Sequence, residues 1–258
     1  MPSGKSPLLY ARAVPVSLEG HRDSYVSPIP DFDFTARVNS LFLVSSELSV
    51  AAREFPVVFT LDPDGEVSLA VVLGLRADEN LFVDAAGQWL AEYKPAYLRR
   101  YPFILARPSE HDSDYTVCID EAYPGLNQSG EGQRLVTEEG KPSPLLEQAI
   151  DFLQKFQKEA QLTGEFCRFV HQQGLLDSVQ ANISLSTGQK LSLAGMHCVT
   201  EKRLQTLAPG ILRDMLMNGY LDSIYRHMHS LANFDGLMRR LEQRVSTEKN
   251  RTEASEHD

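Results

Sequence analysis

Pro56-Val57-Val58-Phe59-Thr60-Leu61-Asp62-Pro63-Asp64-Gly65-Glu66-Val67-Ser68-Leu69-Ala70-Val71-Val72-Leu73-Gly74-Leu75 is the stretch that decides how the chain is read. Its first six residues and its last nine are β-branched or apolar at nearly every position, which suits strands covered on both faces. Between them, Asp62-Pro63-Asp64-Gly65 is turn chemistry: Pro pre-sets φ and Gly accepts a positive φ. The segment is therefore expected to be a β-hairpin. A third strand, Asn80 to Asp84, is expected to follow and to stop at Ala85-Ala86-Gly87.

Working outward toward the C-terminus, Glu121 to Pro144 is rich in Gly and Pro among polar residues and reads as a connector between halves, with a small hairpin over Glu131 to Gly140. Ser143-Pro144 is a helix start, with a hydroxyl to cap free N–H groups and Pro at the first helical position. Leu145, Leu146, Ala149, Ile150, Leu153, Phe156 and Ala160 then recur at helical spacing, predicting a helix to about Leu162. Thr163 is read as the cap of a second helix that ends at Gly174, so that the two form a helical hairpin. Ile183 to Ser186 and Lys190 to Leu193 flank Thr187-Gly188 as strand, turn and strand. Helices are expected over Glu201 to Leu207, Ile211 to Asn218, Tyr220 to Ala232 and onward through Arg244. The fold class is thus α+β: a β-rich region over 1–142, a mainly helical region over 143–245, both packed as one compact unit, and a disordered tail over 246–258.

The 258 residues are 42% hydrophobic and 23% charged, a globular mixture that excludes wholesale disorder. A net charge of -10 repels phosphate backbones and argues against nucleic-acid binding. Cys118, Cys167 and Cys198 are widely spaced and odd in number, which reads as reduced thiols. Pro7, Pro15 and Ser17 interrupt the N-terminal apolar stretch, so no signal-peptide core is visible. Val67 to Leu75 is far too short to span a membrane. The expectation is a soluble, cytoplasmic protein of unknown oligomeric state.

The clearest chemistry lies between Trp89 and Phe103. If this segment is helical, Tyr93, Tyr97 and Tyr101 form a stripe at steps of four beside the Arg99-Arg100 pair. Arg and aromatic rings together suit recognition of a carboxylate, phosphate or peptide through forked hydrogen bonds and ring stacking. Trp89, Tyr93, Tyr97, Arg99, Arg100 and Tyr101 are therefore the candidate ligand-binding residues; the competing reading is that the rings pack a core and the two Arg fix neighbouring carboxylates. His227-Met228-His229 suggests a metal, but on a helix residues two apart point about 200° from each other. Cys167 and His171, four apart on a helix, have the minimum spacing of a thiolate–imidazole pair without any visible oxyanion hole. Asp112, Asp114, Asp120 and Glu121 form an acidic stretch without a calcium-loop glycine. No phosphate-cradling loop, Gly-x-Ser-x-Gly elbow or His-Glu-x-x-His motif is present. No catalytic residue, metal or cofactor is assigned.

Gly74-Leu75, Asn80-Leu81-Phe82-Val83, Gly87-Gln88-Trp89, Tyr93-Lys94-Pro95-Ala96 and Arg99-Arg100-Tyr101-Pro102-Phe103 resemble the corresponding block of the SapC family, a bacterial family distinct from the peptide-transporter permease that shares those letters. Supporting stretches are Ala51 to Phe59, Cys118 to Glu121 and Asn218 to Leu221. The similarity runs from about Tyr10 to Arg244. Its members are often encoded beside flavin-dependent halogenase-like proteins, cupin-like oxygenase-type proteins and TonB-dependent receptors, so the resemblance implies a link to nutrient uptake. The resulting expectation is a non-catalytic binding or accessory protein that takes a peptide, an amino-acid-like ligand or a partner protein. The alternatives are an enzyme subunit working with a flavoprotein or oxygenase, and a surface-layer-associated protein.

Overall fold

The computed structural model describes residues 8–29, 31–106, 115–184, 188 and 190–255. In chain order the strands are β1 (Ala13–Pro15), β2 (Tyr25–Val26), β3 (Ser40–Phe42), β4 (Val57–Leu61), β5 (Val67–Val72), β6 (Phe103–Ala106), β7 (Thr116–Asp120), β8 (Leu126–Asn127), β9 (Gln133–Arg134), β10 (Leu176–Ser184) and β11 (Lys190–Val199). The helices are α1 (Leu48–Ala51), α2 (Ala96–Arg99), α3 (Pro144–Gln172), α4 (Glu201–Leu204), α5 (Pro209–Met217), α6 (Tyr220–Ser230) and α7 (Phe234–Ser255). Strands gather in the N-terminal half and helices in the C-terminal half, so the fold is α+β. No helix among the described residues is long and apolar enough to cross a membrane.

The chain divides into two compact units, and neither is continuous in sequence: Met1–Phe34 joins Ala96–Lys158, and Thr35–Pro95 joins Glu159–Asp258. This division differs from the boundary expected after residue 142, because each unit joins two separate stretches of the chain. Long-range strand pairing, which residue spacing does not encode, sets the partition: β1 pairs with β7 across some hundred residues.

The first unit holds two three-stranded antiparallel sheets, ordered β1-β7-β6 and β8-β2-β9. Asp120, 1% exposed at the end of β7, organises it. Its carboxylate accepts the backbone N–H groups of Ala11 (3.0 Å), Arg12 (2.8 Å) and Ala122 (3.2 Å), and the Tyr101 hydroxyl (3.3 Å). Such charge-assisted bonds offset the desolvation of a buried carboxylate. The expected hairpin over 131–140 is instead β9 laid against β2, followed by a tight turn closed by Thr137 N–H to Lys141 O at 2.8 Å. Ser143 Oγ accepts Leu146 N–H at 3.3 Å and starts α3, as its sequence indicates. Leu146, Leu153 and Phe156 are buried along one face of that helix.

The second unit is built on a five-stranded antiparallel sheet, ordered β10-β11-β4-β5-β3. β4 and β5 form the expected hairpin, in register from Val57↔Val71 to Leu61↔Val67. The side chains of Val57, Val58, Phe59, Leu69 and Val71 are buried, so the hairpin is covered on both faces. In the turn, Asp62 Oδ1 accepts the N–H groups of Asp64 and Glu66, and Gly65 takes φ +83°. Residues 80–84 are not a strand. Asn80 spends its side chain on Phe82 N–H and Thr35 O, and Asp84 spends its own on Ala86 and Gln88 N–H, so the segment is a pair of side-chain-closed turns.

β11 pairs with β4 only at Met196↔Thr60 and His197↔Phe59. Beyond that, α6 supplies the missing partners. His227 Nδ1–H donates to Val57 O at 2.8 Å, its Nε2 accepts Val199 N–H at 3.0 Å, and Ser230 Oγ accepts Val57 N–H at 2.9 Å. A backbone N–H can only donate, so the neutral tautomer is fixed.

Two helical expectations change. Thr163 does not cap a second helix: α3 runs unbroken for 29 residues, and the expected helical hairpin is absent from it. Thr163, fully buried, donates its hydroxyl to Glu159 O at 2.7 Å and accepts Ser45 N–H at 2.8 Å, so the side chain is satisfied without leaving the helix. The helix ends where expected, with Gly174 at φ +63° and Leu175 N–H bonded to Val170 O at 3.2 Å. The polar stretch from Ser246, expected to be a disordered tail, continues α7 to Ser255. Ser246 and Thr247 donate to Glu242 O and Gln243 O, and Glu, Lys and Arg have good helix propensity whatever their polarity.

Two stability measurements follow. Phe156→Ala, at a ring 7% exposed, should cost about 3–5 kcal/mol in urea unfolding; a loss below about 1 kcal/mol would mean the α3 face is not enclosed. Burial lowers the His227 pKa from 6.5 to about 4. Above pH 6.5 both folded and unfolded chains are neutral there. Between the two values only the unfolded chain takes the proton, so stability falls with falling pH, and below pH 4 the loss levels off. The difference is about 3 kcal/mol. His227→Gln should lose that much less than the parent chain between pH 7.5 and 4, and an equal loss would exonerate His227.

Candidate functional site

The six candidate residues do not form a single helical stripe. Only Ala96–Arg99 is helical, and the Tyr101-Pro102 peptide is cis. Trp89 and Tyr93 belong to the second unit, whereas Tyr97, Arg99, Arg100 and Tyr101 belong to the first.

In the second unit, Trp89 packs against Phe55 and Phe82, with ring centroids 6.2 and 6.1 Å away. Its Nε1–H donates to Tyr93 O at 2.9 Å. The Glu54 carboxylate accepts the N–H groups of Glu92 and Tyr93 at 2.8 and 2.9 Å, and the Tyr93 hydroxyl donates to Glu47. These contacts hold the loop after Asp84 in place, which is the packing role that aromatic residues most often serve.

In the first unit, Arg100 follows the single turn of α2 and its guanidinium lies among rings. Its Cζ is 3.8 Å from the Tyr97 centroid, 4.9 Å from Phe156 and 5.7 Å from Tyr10. Each ring is fixed independently. The Tyr10 hydroxyl donates to Phe103 O at 2.7 Å, the Tyr97 hydroxyl donates to Leu8 O at 3.3 Å, and Phe156 is set by α3. Burial raises the pKa of both tyrosines, against the opposing pull of the Arg100 cation. Both rings are thus neutral π-faces for the guanidinium. Tyr101 lies edge-on to Tyr10, stacks on Phe34 with centroids 4.5 Å apart, and gives its hydroxyl to Asp120.

Cation–π contacts contribute about 0.5–2 kcal/mol and do not replace a counter-ion. Among the described residues no carboxylate ion-pairs with Arg100, and its buried Nε has no hydrogen-bond partner. A cavity of about 440 Å³ adjoins it, lined by Arg99, Arg100, Tyr101, Tyr123, Leu145 and Phe152 among others. Arg99 is exposed, with its Cζ 5.3 Å from the Phe152 ring. The arrangement places a cationic edge beside an apolar chamber, which is the chemistry of an anion-recognition site.

The other chemical candidates are occupied. Both ring nitrogens of His227 serve backbone groups, which removes it from metal ligation. Cys167 is fully buried and burial pushes its thiol up to about 12, the reverse of an activated nucleophile, while His171 is exposed. Asp120 is consumed by backbone N–H groups, and Glu121 pairs with Arg12 at 2.8 Å. Asp112 and Asp114 lie outside the described residues. Tyr10, Tyr123, Phe152 and Phe156 join the site without having been singled out for it. Phe156 carries a legible helical periodicity, but nothing local ties Tyr10 to a residue ninety positions away.

No curated protein and no solved structure matches the chain significantly. The SapC family model matches residues 16–237, a span that includes Arg100 and every lining residue named above. The chain belongs to the SapC family.

Proposed function

We propose that this protein is a non-catalytic binding protein whose first unit takes an anionic small molecule against Arg100. The observation that carries the reading is the guanidinium held among Tyr97, Phe156 and Tyr10 beside a cavity of about 440 Å³, with its Nε unsatisfied. Arg100 is half-buried and among the described residues has no paired carboxylate, so a ligand carboxylate or phosphate would supply an anionic partner. Pre-fixed rings reduce the ordering that binding would otherwise require. The three cysteines are all buried free thiols, which supports a role in a reducing compartment such as the cytoplasm. A small-molecule receptor of this kind is compatible with the link to nutrient uptake that the family resemblance implies.

The test is isothermal titration of the whole chain with indole-3-acetate, benzoate and phenyl phosphate, each against its neutral amide or alcohol. At least one anion should bind, and Arg100→Met, which keeps the stem and removes the charge, should weaken it by about 1.5–3 kcal/mol while the melting temperature changes by no more than a few degrees. Unchanged anion affinity in a folded Arg100→Met protein would refute the assignment.

A further inference from the structure

A separate cavity, of about 450 Å³, lies within the second unit, where α7 faces Glu54 and Phe82. On the helix side Gly236, Arg240 and Gln243 recur at steps of four and three, so they share one face, with Arg239 beside them. Two clamps tie this helix to the opposite wall. Asn233, just before α7, donates its amide to Ala52 O at 2.8 Å and to Phe55 O at 3.1 Å, residues that flank Glu54 in sequence. Arg244 donates to Asn80 O at 2.9 Å and to Val83 O at 2.7 Å, residues that flank Phe82. The clamps bracket the lining stretch of α7, so the walls are fixed before any ligand arrives.

The charges on those walls are opposite and separately anchored. The Glu54 carboxylate accepts Glu92 N–H through Oε2 at 2.8 Å and Tyr93 N–H through Oε1 at 2.9 Å, and each oxygen keeps a lone pair for a further donor. The Arg240 guanidinium lies over the Phe82 ring, its Cζ 4.6 Å from the centroid, and that ring is buried against Phe55 at 4.6 Å. Burial lowers the Arg240 pKa and the field of Glu54 opposes that shift. The two groups attract each other, yet none of the ion pairs among the described residues joins them. Arg239, exposed at the same cavity, adds a second guanidinium.

A simple anion entering here gains the guanidiniums but meets the Glu54 carboxylate, and a simple cation gains Glu54 but meets two guanidiniums. A molecule that carries both charges satisfies each wall with its opposite end, and neither side chain has to leave its anchor. The volume lies toward the lower end of small-molecule sites, so the ligand is compact. Gly236 shapes the remaining space. Gly is a poor helix former, and a Cβ there would meet Arg239 Nη2 at 3.9 Å, an ordinary contact, so a larger residue fits the helix and would intrude on the cavity.

We infer that this cavity is a second binding site, for a free α-amino acid, whose carboxylate takes the Arg240 guanidinium, whose ammonium takes Glu54 and whose side chain lies beside Gly236. The site is independent of Arg100, which belongs to the other unit.

Calorimetry on the full chain tests it with L-leucine and L-glutamine. Each is compared with the analogue lacking the amine, isocaproate or glutaramate, and with the analogue lacking the carboxylate, isoamylamine or γ-aminobutyramide. At least one amino acid should bind about tenfold or more tightly than both of its analogues, the scale of one charge-assisted hydrogen bond. Glu54→Gln should erase the preference over the deaminated acid, and Arg240→Met the preference over the amine. Gly236→Leu, which fills the cavity from a position where Leu is the better helix former, should weaken binding by about tenfold or more without lowering the melting temperature. Three results overturn the inference: neither amino acid binds, a deaminated acid binds as tightly as its parent, or affinity is unchanged in Gly236→Leu. Preferences that survive both charge substitutions overturn it as well. Should either charge variant fail to fold, the analogue comparison and Gly236→Leu decide alone.

Discussion

The carboxylate of Asp120 gathers groups from distant parts of the sequence. It receives two N–H groups at Ala11 and Arg12, one at Ala122 and the hydroxyl of Tyr101. The first two hold β1 along β7, in register from Ala13↔Asp120 to Pro15↔Cys118. Because Tyr10 immediately precedes those N–H groups, fixing them also fixes the ring that approaches Arg100. The bond to Tyr101 secures the residue that follows Arg100. One buried negative charge therefore places both sides of the cationic site without itself neutralising the cation.

That separation of charges is the physical core of the account. Asp120 is satisfied by dipoles, whereas Arg100 lies among π-faces and beside the Tyr10 and Tyr97 hydroxyls, and among the described residues no carboxylate pairs with it. Proteins tolerate such local imbalance where a ligand completes it, and an anion is the group that would do so here. The second unit solves its own polar problem internally. His227 and Ser230 complete the backbone bonds that β4 lacks, leaving that histidine neutral and structural.

Features governed by local chemistry were legible in the sequence. The β4–β5 hairpin followed from Asp62-Pro63-Asp64-Gly65, the start of α3 from Ser143-Pro144, and its end from Gly174. Thr163 misled because a hydroxyl that caps one helix can equally bond its own i−4 carbonyl, and only the neighbouring Ser45 N–H decides between them. Asn80 and Asp84 misled because their side chains compete with strand pairing. The Trp/Tyr/Arg block was visible as composition, but its division between two units depends on strand pairings that no spacing encodes. Tyr10 was invisible for the same reason.

The most direct measurement is a crystal structure of the protein grown with an aryl-alkanoic acid. The account predicts the carboxylate oxygens about 3 Å from the Arg100 guanidinium, with the hydrocarbon against Leu145, Ala149 and Phe152. A carboxylate bound elsewhere, or an Arg100 turned out of its rings to pair with a protein carboxylate, would contradict it.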